Sequence, residues 1–393
     1  MLRNVHRMLA LVTLVCLLVP AVADAQRTRT QTASHNGISF TATNRIVGVG
    51  STGTIPAGMG DIRYFATAPK YSGVVALIMD YGADGSFICS GSLLADRRSI
   101  LTAAHCVANG ATLTKPLSTT AYFYGGPNDR FFDDVSGLDP VTVVNVGQIF
   151  VNPGYTGQVV DQNDIAVLRL STPAPAFAMS YMFHTGSTLV GEDYNVAGYG
   201  ARGPNGNIGA TFGPGRRRQG DNRYDYEFGD AAFNGFFTDR DAVTGLAFWD
   251  DSGFPAADYS RSILSDFDNG LVLNDFSCNL GNLFGGSAAQ FCDLGRGFTE
   301  VSTAGGDSGG PQFWIDGSGN MMVSSVTSFG FGSTDLGDVD DIPNSTFGEG
   351  NGFVPTSIHV DFITASMVPE PGTYGMMALG LLGLASVARR RMA

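Results

Sequence analysis

Short apolar runs separated by Gly, Asn and Asp turns fill the middle of the chain. Val74 to Met79 is continuously apolar between Gly73 and Asp80-Tyr81-Gly82, a strand followed by a turn. Phe87 to Leu94, Val141 to Phe150 and Ile165 to Leu170 read as further strands. Gln312 to Ile315 and Val323 to Gly332 flank Asp316-Gly317-Ser318-Gly319-Asn320, the mark of a hairpin. Val360 to Met367 is expected as a short helix. Many short strands with turn residues between them indicate an all-β protein.

Other stretches break this pattern. Residues 26–45 are polar, rich in Thr, Arg, Gln and Ser, and read as a short propeptide. Residues 201–260 are rich in Gly, Asp, Asn and Phe and carry Arg216-Arg217-Arg218, so a solvated loop insertion is expected. A processing site or a substrate-facing exosite is the sharper alternative there. Residues 333–352 are acidic, with Asp335, Asp338, Asp340, Asp341 and Glu349. Calcium is considered for this stretch because hard cations favour oxygen ligands, but no recognised loop spacing supports it.

Each end holds a separate apolar run. Met8 to Val19 follows Arg3, His6 and Arg7 and precedes the small residues Ala21-Val22-Ala23-Asp24-Ala25. This is the pattern of a secretory signal peptide over 1–25, too short for a membrane span. Near the C-terminus, Val368-Pro369-Glu370-Pro371 precedes an apolar span, Tyr374 to Ala388, and then Arg389-Arg390-Arg391. The arginines would stay inside a membrane that the span entered.

The chain has 393 residues, a formal net charge of −13, 44% hydrophobic and 11% aromatic residues. That composition supports a packed core, in one large domain or two small ones, and excludes a disordered chain. The acidic balance argues against nucleic acid as a partner. With Cys16 in the signal, Cys89, Cys106, Cys278 and Cys292 remain, and export places them in an oxidising compartment. Four cysteines allow three pairings. No Cys-x-x-Cys pair or matching histidines suggest a metal site.

The candidate chemistry centres on Gly305-Gly306-Asp307-Ser308-Gly309-Gly310-Pro311. A serine is inert unless a base takes its proton, and the glycines leave backbone N–H groups free to hold an oxyanion. Upstream, Leu101-Thr102-Ala103-Ala104-His105-Cys106 supplies a histidine, and Asp164-Ile165-Ala166-Val167-Leu168 a carboxylate. Asp161 is a rival, but only Asp164 directly precedes Ile-Ala-Val-Leu. Thr-Ala-Ala-His-Cys, Asp-Ile-Ala-Val-Leu and Gly-Asp-Ser-Gly-Gly-Pro resemble the chymotrypsin/trypsin family of serine peptidases, over roughly residues 46–366. The order His, Asp, Ser is that family's order.

The resemblance implies two six-stranded antiparallel β-barrels and a peptidase domain over 46–367. It implies that His105, Asp164 and Ser308 are catalytic and that the N–H groups of Gly306 and Ser308 form the oxyanion hole. It selects the pairs Cys89–Cys106 and Cys278–Cys292. It also implies activation by cleavage between Arg45 and Ile46, with the freed amino group pairing with Asp307. The pocket for the substrate side chain would be formed by Ser302, Thr303, Ser328, Gly330 and Gly352. Ser302 and Thr303 are uncharged, so uncharged side chains are expected as substrates. Ser328-Phe329-Gly330 resembles the strand that pairs with the substrate backbone. Ser90 and Tyr199 stand where the family has glycine and tryptophan.

Pro369-Glu370-Pro371, the apolar span and the arginines resemble the bacterial PEP-CTERM sorting signal, over 368–393. The combined expectation is a serine endopeptidase made as a zymogen and exported by a bacterium. It would be transiently anchored in the membrane, then released to the surface or beyond by C-terminal processing. Its partners would be protein or peptide substrates, an activating trypsin-like protease and the sorting machinery. No cofactor or metal is implied. The alternative is a protease-fold surface protein that binds without cleaving.

Overall fold

In the computed structural model the apolar runs become strands of two largely antiparallel sheets. The described residues are 29–44, 47–48, 61–108, 114–127, 141–241, 245–251, 253–284 and 291–367. The expected signal peptide, the Arg45–Ile46 bond and the C-terminal tail from 368 lie outside them. Among the described residues no helix is long and apolar enough to cross a membrane.

The chain enters through a hairpin, β1 (Thr30–His35) and β2 (Ile38–Asn44). Asn36 and Gly37 form its turn with φ of 51° and 86°, the left-handed pair that a two-residue hairpin needs. This segment, expected only as a polar propeptide, is therefore ordered. Phe40 and Ala42 on one face of β2 are fully buried, while Ser39, Thr41 and Thr43 alternate outward. Two apolar side chains at the right period are enough to dock a strand whose composition is polar.

The first sheet comprises β3 (Val47–Gly48), β4 (Val74–Asp80), β5 (Ser86–Leu93), β6 (Ser99–Thr102), β7 (Ser118–Tyr124), β8 (Val141–Val151) and β9 (Ala166–Leu170). Its order is β3-β5-β4-β7-β8-β9-β6, and β6 pairs back with β5, closing a six-stranded barrel with β3 on its rim. The unbroken apolar run in β4 now has a reason. Val75, Leu77 and Met79 point into the barrel core, whereas Val74 and Ala76 pack outward with Val326, Val354 and Phe313 of the second sheet. Both faces are buried, so alternation is lost. The one-turn helix α1 (Ala104–Val107) follows β6 and is tied to β5 by the disulfide Cys89–Cys106.

The second sheet holds β10 (Met182–Phe183), β11 (Asp193–Gly198), β12 (Arg218–Arg223), β13 (Tyr226–Glu227), β14 (Ile263–Asp266), β15 (Pro311–Ile315), β16 (Met321–Gly332) and β17 (Gly350–Pro355). The path runs β12-β11-β15-β16-β17-β14-β13, with β2 and β10 also paired to β16. This ladder is open, a half-barrel. Its two edge strands, β12 and β13, are consecutive in the chain, so one bent segment pairs with β11 at one end and β14 at the other. The helix α2 (Phe276–Leu283) carries Cys278, bonded to Cys292, and α3 (Val360–Ser366) is the expected terminal helix.

The insertion is not a solvated loop. Phe228, Phe233, Phe237, Trp249 and Tyr259 are buried and pack with Phe40, Phe329 and Phe331 into a core outside the half-barrel. Aromatic side chains of this size bury too much apolar surface to be left in water. The basic cluster is also not an exposed processing site. Arg216 and Arg217 are buried, and Arg217 donates to the carbonyls of Ala66 and Tyr124, both at 2.7 Å.

Candidate active site

Three elements bring the serine, histidine and aspartate together. Ser308 lies in the turn before β15, His105 on α1 after β6, and Asp164 just before β9. His105 Nδ1 and Asp164 Oδ2 are 2.7 Å apart. Asp164 Oδ1 accepts the backbone N–H of His105 at 2.8 Å, so the carboxylate grips both the ring and the helix that carries it. An acceptor at Nδ1 keeps the proton there, which leaves Nε2 as the acceptor for Ser308. His105 Nε2 and Ser308 Oγ are 2.7 Å apart. All three residues are buried. Ser328, expected in the pocket, instead directs its hydroxyl at Asp164 Oδ2, 2.5 Å away.

Asp161 is not near His105 in bonding terms. Its carboxylate accepts the N–H and hydroxyl of Thr156 and the N–H of Asn163, holding the turn that presents Asp164. Burial pushes the Asp161 carboxyl up to about 7, against those hydrogen bonds.

The turn around Ser308 is held by features invisible in the short motif. Gly306 has φ +102°, a conformation that a side chain would strain. Gly309 has φ +75° and packs where a Cβ would overlap the Thr102 hydroxyl. The Ser90 hydroxyl donates to the Gly306 carbonyl at 2.9 Å and accepts the Tyr199 N–H at 2.9 Å, while Ser90 N donates to the Ser308 carbonyl at 2.8 Å. The residue that replaces a glycine is thus a clamp on the turn that carries Ser308. Sequence reasoning missed this role, and the only signal was a serine at a position where the resemblance leads one to expect glycine.

Ser302, Thr303 and Asn351 form one uncharged cluster. Asn351 Oδ1 accepts the Ser302 hydroxyl at 3.0 Å, and the N–H and hydroxyl of Thr303 at 3.0 and 2.7 Å. Gly330 pairs with Asn351 across β16 and β17, and Gly352 faces the Phe329 ring, which fills the space a side chain there would need. Asp307 accepts the N–H groups of Gly200 at 2.8 Å and Ala304 at 3.0 Å. A cavity of about 760 Å³ opens beside it, lined in part by Gly198, Gly200, Ser302, Ala304 and Phe298. Arg45 and Ile46 are outside the described residues.

Residues 65–212 match the trypsin family, and residues 368–391 match the PEP-CTERM protein-sorting motif. Over 85 residues the chain is 36% identical to an ovochymase of Halocynthia roretzi. That stretch is 22% of this chain and 5% of the ovochymase, so the chain spans a small fraction of that relative. The trypsin match includes His105 and Asp164 and stops short of Ser308, which the fold brings to them.

Proposed function

We propose, for a chain that carries a trypsin-family domain and a PEP-CTERM sorting motif, that it is an exported serine endopeptidase. The observation that carries this reading is the continuous hydrogen-bonded line from Ser308 Oγ through His105 to Asp164. Ser308 Oγ attacks the peptide carbonyl as its proton passes to His105 Nε2. Asp164 keeps the ring oriented and stabilises it when charged. The N–H groups of Gly306 and Ser308 receive the developing oxyanion. His105 then gives its proton to the leaving amine, and water releases the acyl group by the same route in reverse. Catalysis by these groups calls for no cofactor. Proteins are the substrates of a protease domain, and the uncharged Ser302, Thr303 and Asn351 favour uncharged side chains over Arg or Lys.

A latent precursor is supported by where the N-terminal segment runs. Asn44 to Thr41 pair antiparallel with Phe329 to Gly332, the edge of β16 that the family resemblance assigns to substrate. Val47 and Gly48 pair with Ile88 and Phe87 of β5, two residues short of the Ser90 clamp. Only two residues separate Asn44 from Val47, and three Cα steps cover about 11 Å at most. The described strands on either side of the Arg45–Ile46 bond thus occupy the edges of β16 and β5 beside which a substrate would have to lie. An enzyme that prefers uncharged side chains would cut poorly after an arginine, so a separate trypsin-like protease is the activating partner. Cleavage between Arg45 and Ile46 would free an amino group to enter the cavity beside Asp307. The PEP-CTERM motif directs C-terminal sorting to the bacterial cell surface, with a transient membrane anchor as the intermediate. The test is turnover of a peptide library by trypsin-treated protein. Cleavage after uncharged residues that disappears in Ser308→Ala is expected. Equal cleavage by both proteins would overturn the reading.

A further inference from the structure

Away from the triad, the second sheet buries a group of carboxylates that the peptidase chemistry does not use. Asp266 ends β14, Asp268 follows one residue later, and Asp275 caps α2. They are 4%, 5% and 2% exposed, and each offers an oxygen within 4.8 Å of the others'. Asp225 and Glu300, also buried, approach from the neighbouring segments. Arg223 and Arg296 pair instead with Asp293 and Asp193, and among the described residues no ion pair reaches this cluster.

Most of these carboxylates have a hydrogen-bonding role. Asp225 Oδ2 accepts Asp266 N–H at 2.9 Å and the Ser277 hydroxyl at 2.8 Å. Asp266 Oδ2 accepts Ser277 N–H at 2.7 Å, and Asp275 Oδ1 accepts Cys278 N–H at 2.7 Å. Glu300 Oε1 accepts Asp268 N–H at 2.5 Å. Asp268 is the exception, because its Oδ1 is buried and has no hydrogen-bond partner. A buried carboxylate oxygen without a donor, surrounded by other carboxylates, is costly unless a cation meets it.

We propose that Asp266, Asp268 and Asp275 bind a calcium ion. The donors are all hard oxygen ligands, which excludes a preference for the softer transition metals. Calcium accepts irregular sets of carboxylates and sheds its waters more readily than magnesium, which suits a buried site. The site would also brace the pocket. Glu300, held to Asp268, lies two residues before Ser302, and Asn222 Nδ2 joins the carbonyls of Asp266 and Val301. The proposal stands on these side chains alone and does not depend on the peptidase reading.

The test uses the purified full chain, freed of metal with EGTA and dialysed. Calorimetric titration with calcium chloride should show one ion bound per chain, and calcium should raise the unfolding temperature by mass action. Asp268→Asn should weaken binding by at least about tenfold, a difference of 1.4 kcal/mol in affinity. The same substitution should raise the unfolding temperature measured in EGTA, since an unpartnered charge is gone. Asp335→Asn, in the acidic stretch 333–352, should leave calcium binding unchanged. Should Asp268→Asn not fold, the wild-type titration decides by itself. No calcium binding by the wild-type chain, or unaltered binding in Asp268→Asn, would overturn the proposal. An equal effect of magnesium chloride would overturn the choice of metal.

Discussion

The two sheets solve the same problem to different degrees. The first closes on itself, buries both faces of β4, and delivers His105 and Asp164 from short connections. The second is an open ladder whose outer side is covered by the insertion, and whose central strand β16 takes β2 and β10 as extra partners. It carries Ser308, the pocket residues and the carboxylate cluster. His105 and Asp164 thus sit on a self-sufficient barrel. Ser308, Ser302 and Thr303 sit on a half-barrel completed by additions, and those additions are where the proposed latency resides.

The comparison is broken most severely at the line where the sheets meet. Ser308→Ala or His105→Ala should lower turnover by about a millionfold, and Asp164→Asn by about ten-thousandfold through the wrong tautomer. Steady-state kinetics on folded, trypsin-treated variants measures this. A loss of less than a hundredth of that size in Ser308→Ala would place the nucleophile elsewhere.

The dependence of the second sheet on its additions can be tested next. Phe40→Ala removes a fully buried ring from β2 and should destabilise the precursor by about 3–5 kcal/mol in denaturant unfolding. It should also raise basal activity, because β2 holds the edge of β16. Leu77→Ala, in the first barrel, should cost about 2–5 kcal/mol without any gain of basal activity. Equal basal activity in the two variants would separate β2 from latency.

A smaller effect is expected at the clamp between the sheets. Ser90→Gly restores the residue common in the family but removes two hydrogen bonds from the Gly306 and Tyr199 peptides. At about 1 kcal/mol of net effect, kcat should fall roughly fivefold with KM little changed. A change in KM alone would assign Ser90 to substrate binding instead.

The smallest effect is a pH slope beneath Asp164. The Asp161 carboxyl is raised to about 7 by burial, against a usual value of about 3.9 when unfolded. The folded form holds the proton more tightly, so its contribution to stability is present below about pH 4 and is lost as pH rises through about 7. Asp161→Asn should flatten that part of the stability profile measured by thermal unfolding. An unchanged slope would assign it to other groups.

The grouping of His105, Asp164 and Ser308 was legible because those residue types stand in short, fixed settings, and the fold brings the three side chains within hydrogen-bond distance. The strands of the first barrel were legible because their apolar runs are long enough to count. The insertion was not. Phe228, Phe233, Phe237 and Trp249, at spacings of five, four and twelve, sustain no strand or helix period, so only three-dimensional packing reveals them as a core. In the N-terminal hairpin, Asn36-Gly37 between alternating residues was a usable signal, masked by the polar composition around it. The role of Ser328 was shifted from the pocket to Asp164 because side-chain direction is not a property of the motif.

The central claim is that Ser308 is an activated nucleophile held latent by the chain's own N-terminal segment. A fluorophosphonate probe reacts with such a serine, and mass spectrometry locates the adduct. The account predicts an adduct on Ser308 in wild-type protein cut between Arg45 and Ile46 by brief trypsin treatment. It predicts little adduct in the uncut precursor, and none in Ser308→Ala. A correctly cut and folded protein that leaves Ser308 unlabelled would contradict it.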